Sequence, residues 1–195
     1  IDSIVTRVTC PGGNDGAIDI TVSGGVTPYT YAWSNSSTNE DISGVSDGTY
    51  SLTVYVANLC SQSAIIELGT TPDVTAPLAP VLADVTGECD ATVTVTPTAS
   101  DNCSGIVYGT TSDPLTYNTQ GTHTITWTFD DGNGNTSTTT QDVVIDDVTD
   151  PVAPTLADVT GECSATVTVT PAAYDNCSGT VLGTTSDPLS YSTQG

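Results

Sequence analysis

Residues 122–129 read THTITWTF, and this octet decides the fold class. His123, Ile125, Trp127 and Phe129 recur at a spacing of two and share one face. Thr122, Thr124, Thr126 and Thr128 share the other. A period of two belongs to a pleated strand with one side on a core and the other in water, whereas a helix would scatter both sets around its circumference. The same alternation occurs at residues 91–96, where Ala91, Val93 and Val95 are expected to face inward against outward Thr92, Thr94 and Thr96. Residues 17–22, 29–33 and 50–56 behave alike. Between the runs stand clusters such as GGNDG at 12–16 and DDGNGN at 130–135, the residue types that accept the positive φ of tight turns. Thr supplies 38 of the 195 residues and Met none, a β-branched bias that suits sheet rather than helix. Short strands with frequent turn signals predict an all-β chain of antiparallel β-sandwich modules, and no segment carries a helical period.

Outward from this octet the chain repeats itself. Residues 73–121 align with residues 147–195 at an offset of 74 without gaps, with 39 identities in 49 positions. LADVTGEC, DNCSG and GTTSDPL each occur twice at that offset. A period of this length marks an array of small units, each one supersecondary package. Residues 1–72 hold no copy of the unit and form a different module. The expected organisation is therefore 1–72, 73–146 and 147–195, the last copy incomplete because the first runs on for another 25 residues. The sequence reads as a window on a longer, elongated array. Junctions are Pro-punctuated, TTPDVTAPLAP around Asp73 and DDVTDPVAP around Asp147. Proline fixes φ and restricts its predecessor, so these are short, stiff connectors.

The charge excludes whole classes of partner. One Lys or Arg stands against 23 Asp or Glu, for a formal net charge of -22. A phosphate backbone must be met by basic side chains, so nucleic acid is not a partner. An anionic membrane surface is equally unsuitable, and no apolar run approaches the ~20 residues of a spanning helix. Only Arg7 offers an ordinary ion pair, so the carboxylates repel one another unless cations neutralise them. Ca²⁺ is the hard cation that takes many oxygen ligands and is the expected cofactor. The alternative is a solvated acidic surface that only confers solubility.

Six cysteines, Cys10, Cys60, Cys89, Cys103, Cys163 and Cys177, include no C-x-x-C pair, and a single His leaves little for zinc. An even count in a strand-rich chain points to disulfides and an oxidising compartment. Within the repeat frame the simplest pairing joins Cys89 to Cys103 and Cys163 to Cys177, leaving Cys10 to Cys60. No secretory signal is visible at Ile1, and the chain reads as a mature or excised segment.

These residues resemble known families. CPGGNDGAIDITVSGGVTPYTYAWSN at 10–35, EDISGVSDGTYSLTVY at 40–55 and NLC at 58–60 resemble an SprB-type repeat of Bacteroidota surface proteins. DNCSG, THTITWTFDDGNGNTST and VVIDDVTDPVAP resemble the HYR-like, immunoglobulin-like repeats of the same giant proteins. The resemblance implies gliding-motility and attachment adhesins, exported by the type IX route and displayed as filaments on the outer membrane. It implies Ig-like sandwiches and a structural stalk whose partners are neighbouring repeats and, at most, a surface or polysaccharide ligand. The rivals are a carbohydrate-binding module and the carrier segment of a secreted enzyme.

The candidate metal ligands lie in turns and junctions. Asp130, Asp131, Asn133 and Asn135 offer oxygens within six residues, with glycines between them. No Glu closes a twelve-residue loop there, so this is not an EF-hand. Asp101, Asn102, Asp146, Asp147 and Asp150 are expected to join from nearby loops or the next junction, and the bland reading of the hairpin is a polar tip chosen for φ > 0. Asp175 and Asn176 repeat Asp101 and Asn102. No catalytic residue is expected. His123 is the one conventional general base, its face shared with Ile125 and Trp127 marks it as packed, and no G-x-S-x-G accompanies it. Trp33 with Tyr29 and Tyr31 could stack on a sugar, but their shared face reads as core. The outward Thr rows are solvent-side strand residues rather than an ice-binding face. Asp2-Ser3-Ile4 resembles the short O-glycosylation pattern of Bacteroidota, with Ser3 as acceptor.

Overall fold

A computed structural model describes residues 1–192. Those residues are all-β: seventeen strands in small sheets, nearly all antiparallel, and no helix. The strands are β1 Asp2–Thr6, β2 Gly16–Thr21, β3 Thr30–Trp33, β4 Ile42–Val45, β5 Gly48–Tyr55 and β6 Ser61–Leu68. There follow β7 Val85–Gly87, β8 Ala91–Thr92, β9 Thr98–Asp101, β10 Gly105–Tyr108, β11 Thr116–Tyr117, β12 Gly121–Asp130 and β13 Thr136–Ile145. Last come β14 Ala165–Thr166, β15 Ala172–Asp175, β16 Gly179–Leu182 and β17 Ser190–Tyr191.

The chain divides into two compact units that interleave in sequence. Among the described residues unit 1 holds 1–79, 98–108 and 129–137, and unit 2 holds 80–97, 109–128 and 138–192. In unit 1 the sheets β1-β2-β4 and β3-β5-β6 form a sandwich. Ile18 and Ile20 from β2 and Ile42 from β4 meet Trp33 from β3, Leu52 and Val54 from β5, and Ile66 and Leu68 from β6. Each of these is almost wholly withdrawn from water, and burial of a Leu or Ile side chain is worth about 1.5–3 kcal/mol. β9 and β10 add an antiparallel hairpin to the same unit, with Asp101 opposite Gly105. Just past β6 the Val8 N–H donates to the Gly69 carbonyl and the Val8 carbonyl accepts the Thr71 N–H, and the Leu78 N–H donates to Ser100 on β9, so residues 69–78 are tied at both ends.

Unit 2 contains Thr122 to Thr128 of the octet that opened the reading, and Phe129 falls in unit 1. On β12, Ile125 and Trp127 are buried and Thr122, Thr124 and Thr126 exposed, as the alternation predicts. β13 stands between β12 and β7, and its pairing with β7 is parallel, Val143 opposite Val85. β8 pairs β11, β14 pairs β17 and β15 pairs β16, all antiparallel. Val95 departs from expectation, being 75% exposed. β8 ends at Thr92, Val93 makes the last backbone bond to Leu115, and the chain bends at Val95 before Pro97, which has no N–H to continue a ladder. The second copy repeats the departure at Val169, which is 76% exposed.

Candidate metal centre

Two turns and a connector build the site in unit 1. The first turn joins β12 to β13. Asp131 Oδ1 accepts the backbone N–H of Asn133 at 2.7 Å and of Asn135 at 3.0 Å, while Oδ2 accepts the Asn135 side-chain amide at 2.7 Å. Gly132 and Gly134 take φ of 78° and 103°, which side chains with a Cβ resist, and this lets successive N–H groups point at one carboxylate. Burial alone raises the Asp131 pKa, but the bonds from Asn135, Asn133 and the loop backbone outweigh it, and the net shift is downward. Asp131 is therefore ionised although it is only 8% exposed.

The second turn joins β9 to β10. Asp101 Oδ1 accepts the N–H of Cys103 at 2.8 Å and of Ser104 at 2.7 Å, an Asx-turn that aims Cys103 outward. The same turn recurs in unit 2, where Asp175 accepts the N–H of Cys177 at 2.9 Å and of Ser178 at 2.5 Å. The Ser104 hydroxyl donates to the Asp131 carbonyl at 2.6 Å and so clamps the two turns together. The connector supplies Asp73, whose Oδ1 accepts the Thr75 N–H and whose Oδ2 receives the Asn133 amide at 3.3 Å. One carboxylate oxygen from each of Asp73, Asp101 and Asp131 lies within 4.8 Å of the others. Two unit charges at that distance repel by roughly 3–4 kcal/mol at an effective dielectric near 20.

The structure thus brings Asp101 and Asp131 together, with Asn133 and Asn135 bonded to the Asp131 carboxylate and Asn133 also to that of Asp73. Asp130 turns away to cap Gly132, and Asn102 donates its amide to the Cys103 sulfur. Asp146, Asp147 and Asp150 belong to unit 2 and take no part in the group. Asp147 there caps Thr149, and its N–H donates to Gln120. Asp73 is the member of this carboxylate group that the residue-by-residue reading missed. The signal was present, because Asp73 precedes Asp147 by one repeat length of 74 and Asp147 was a candidate.

The disulfides require a correction. The bridges are Cys10–Cys103, within unit 1, and Cys89–Cys177, within unit 2; Cys60 and Cys163 carry free, exposed thiols. Cys10 cannot meet Cys60. The Val8–Thr70 bridge puts Cys10 beside the far end of β6, and Cys60 stands just before its first residue. An eight-residue strand of about 25 Å separates them. Cys89 does not pair with Cys103, because Cys103 is held by Cys10 in unit 1 and Cys89 by Cys177 in unit 2. Cys177 is already held at Cys89, where Asn176 donates to Glu88 at 2.6 Å and the Thr149 hydroxyl joins the same carboxylate, so Cys163 is left over.

The remaining candidates are placed plainly. His123 is half-buried, stacked on Tyr117 with centroids 4.4 Å apart, and bonded through Nε2 to the Thr119 carbonyl. Trp33 and Trp127 are 5% and 3% exposed, and their indole N–H groups donate to the Asn39 carbonyl and to Gln141. Tyr31 packs beside Trp33 on the core; burial, then a hydrogen bond with Glu40, pushes its phenol up to about 12. Ser3 is exposed on β1, opposite Ile20.

Residues 3–38 match the SprB repeat. The match covers β1 to β3 and the turn beyond, inside the unit 1 sandwich. The SprB repeat is a structural repeat associated with cell-surface proteins and is not an enzyme family. No curated protein matches the chain. Among the described residues no helix is long and apolar enough to cross a membrane.

Proposed function

We propose that this chain is a stalk segment of a large secreted adhesin, displayed outside the cell and serving surface attachment. In this reading residues 1–72 are an SprB-type sandwich and residues 73–146 and 147–195 are HYR-like, Ig-like repeats, the second incomplete. The observation that carries it is the SprB repeat at 3–38 in a chain whose two cystines each tie one sequence repeat to the next. Cys10 of the first segment holds Cys103 of the second, and Cys89 of the second holds Cys177 of the third. Stapling of this kind suits small modules with thin cores in an oxidising medium. The buried indoles of Trp33 and Trp127 offer no aromatic platform to a sugar, which favours the stalk over a carbohydrate-binding module.

Antibodies raised against the chain, applied to intact producing cells, test the location. Labelling that protease treatment of whole cells removes is expected, together with loss of attachment when the segment is deleted. Labelling only after cell lysis, or undiminished attachment, overturns the reading.

A further inference from the structure

Acidic groups crowd a chain of net charge -22, so convergence of three carboxylates says little by itself. Asp101 sets this group apart. Its Oδ1 is occupied by the N–H groups of Cys103 and Ser104, while its Oδ2 is sealed from solvent and has no hydrogen-bond partner. A carboxylate oxygen taken from water and given nothing in return carries its full desolvation penalty. Beside it stands Asp131, itself more than nine-tenths buried and fixed by the N–H groups of Asn133 and Asn135. Asp73 completes the group from a third stretch of chain. With one Lys or Arg in 195 residues, side-chain counter-ions are not available for such a cluster.

We propose that Asp73, Asp101 and Asp131 hold one Ca²⁺ ion, with the unpartnered Oδ2 of Asp101 as a ligand. The donors are all oxygen, the choice of a hard cation. Oxygens bound to Ca²⁺ at 2.3–2.6 Å stand at most about 5 Å apart, which is the span of this group. Mg²⁺ draws its ligands in to 2.0–2.1 Å, with trans oxygens about 4.2 Å apart, and it sheds water reluctantly. Asn133 turns its amide so that Oδ1 rather than Nδ2 faces the ion, an exchange that leaves its backbone N–H on Asp131 undisturbed. The ion pins the β12–β13 turn, the β9–β10 turn and the 69–78 connector to one another. The site does not depend on the stalk reading, since a protein of any function would need a cation there.

The test is isothermal titration of the full chain with Ca²⁺ at about 0.15 M salt, where diffuse attraction to the acidic surface is screened. One binding event is expected, with Kd on the order of 10⁻⁴ to 10⁻³ M, the range of extracellular modules. Asp101→Asn keeps the Oδ1 acceptor of the turn and should weaken binding at least tenfold; Asp19→Asn, on β2 outside the group, should leave it unchanged. Absence of an event, an event indifferent to Asp101→Asn, or equal affinity for Mg²⁺ overturns the proposal. Should Asp101→Asn fail to fold, the unsubstituted chain still decides. Ca²⁺ must shift the amide NMR signals of Cys103, Asn133 and Asn135, and shifts confined to other residues overturn it.

Discussion

Cys10 and Cys103 lie 93 residues apart in sequence, and their α-carbons stand 5.2 Å apart across a disulfide. Cys89 and Cys177 repeat the relationship over 88 residues. Loops of this length lose much denatured-state freedom, roughly 4–5 kcal/mol per bridge on chain-entropy grounds. Proteolytic digestion without reductant should therefore yield peptides cross-linked 10 to 103 and 89 to 177. An alkylating reagent applied to the native protein should consume two thiols, at Cys60 and Cys163. A peptide linking Cys89 to Cys103, or Cys10 to Cys60, contradicts the fold as described.

Gly87 is required by the close return of the chain in VTGEC. A Cβ at this position would lie 2.0 Å from the carbonyl oxygen of Asp90, and at Gly161 of the second copy 1.9 Å from that of Ser164. Neither oxygen belongs to a flexible side chain that can swing away. Gly87 also pairs with Ile145 and accepts the N–H of Asp146. Gly87→Ala should destabilise the protein by more than about 1 kcal/mol, read as a lower urea midpoint at an unchanged slope. An unshifted midpoint means that the turn relaxes at little cost.

How much of this was legible in the sequence follows from the range of each signal. The alternation of β12 is local, each residue's face depending on its neighbours, and Ile125 and Trp127 lie where the pattern puts them. The repeat at offset 74 is likewise visible in the letters. The cystines were misread because nearness in sequence stood in for nearness in space. Cys89 and Cys103 stand only 14 residues apart in sequence, yet they are bonded to partners 88 and 93 residues away, Cys177 and Cys10. Val95 was misread because alternation was carried past the point where β8 ends. Asp101 and Asp131 were visible as turn residues, but their meeting depends on Ser104 reaching the Asp131 carbonyl across 27 residues, and no local pattern encodes that.

Asp15 gives a pH signature on the acid side. The Thr9 hydroxyl and then the Thr9 N–H, the latter at 3.0 Å, donate to its carboxylate and hold its pKa below the ordinary 3.8. A depressed folded value means that the ionised form is favoured in the native state. Its contribution to stability is present above the unfolded pKa and is lost as pH falls through the lowered folded one. Thr9→Val removes the hydroxyl and keeps the N–H, so the carboxyl NMR titration of Asp15 should move part of the way back towards 3.8. An unmoved titration would show that the hydroxyl does nothing for the charge.

The two bridges overlap, because Cys89 precedes Cys103, and the overlap shortens the path that tension must take. Pulled from its ends, the chain transmits force along nine steps from Ile1 to Cys10, fourteen back from Cys103 to Cys89, and eighteen from Cys177 to Gly195. That is about 41 residue steps, or about 140 Å fully extended, against about 660 Å for the chain without bridges. Under oxidising conditions a single molecule held between two handles should therefore yield no more than about 140 Å of extended length, even when every sheet has come apart. Reductant should release the remainder. Cys103→Ser should lengthen the path by about 65 steps, or about 220 Å, because the 79 steps from Cys10 to Cys89 replace the fourteen from Cys103 to Cys89 while the second bridge still spans 89 to 177. Free extension towards the full length without reductant would show that the bridges carry no load, and a stalk that limits its own stretch could not then rest on them.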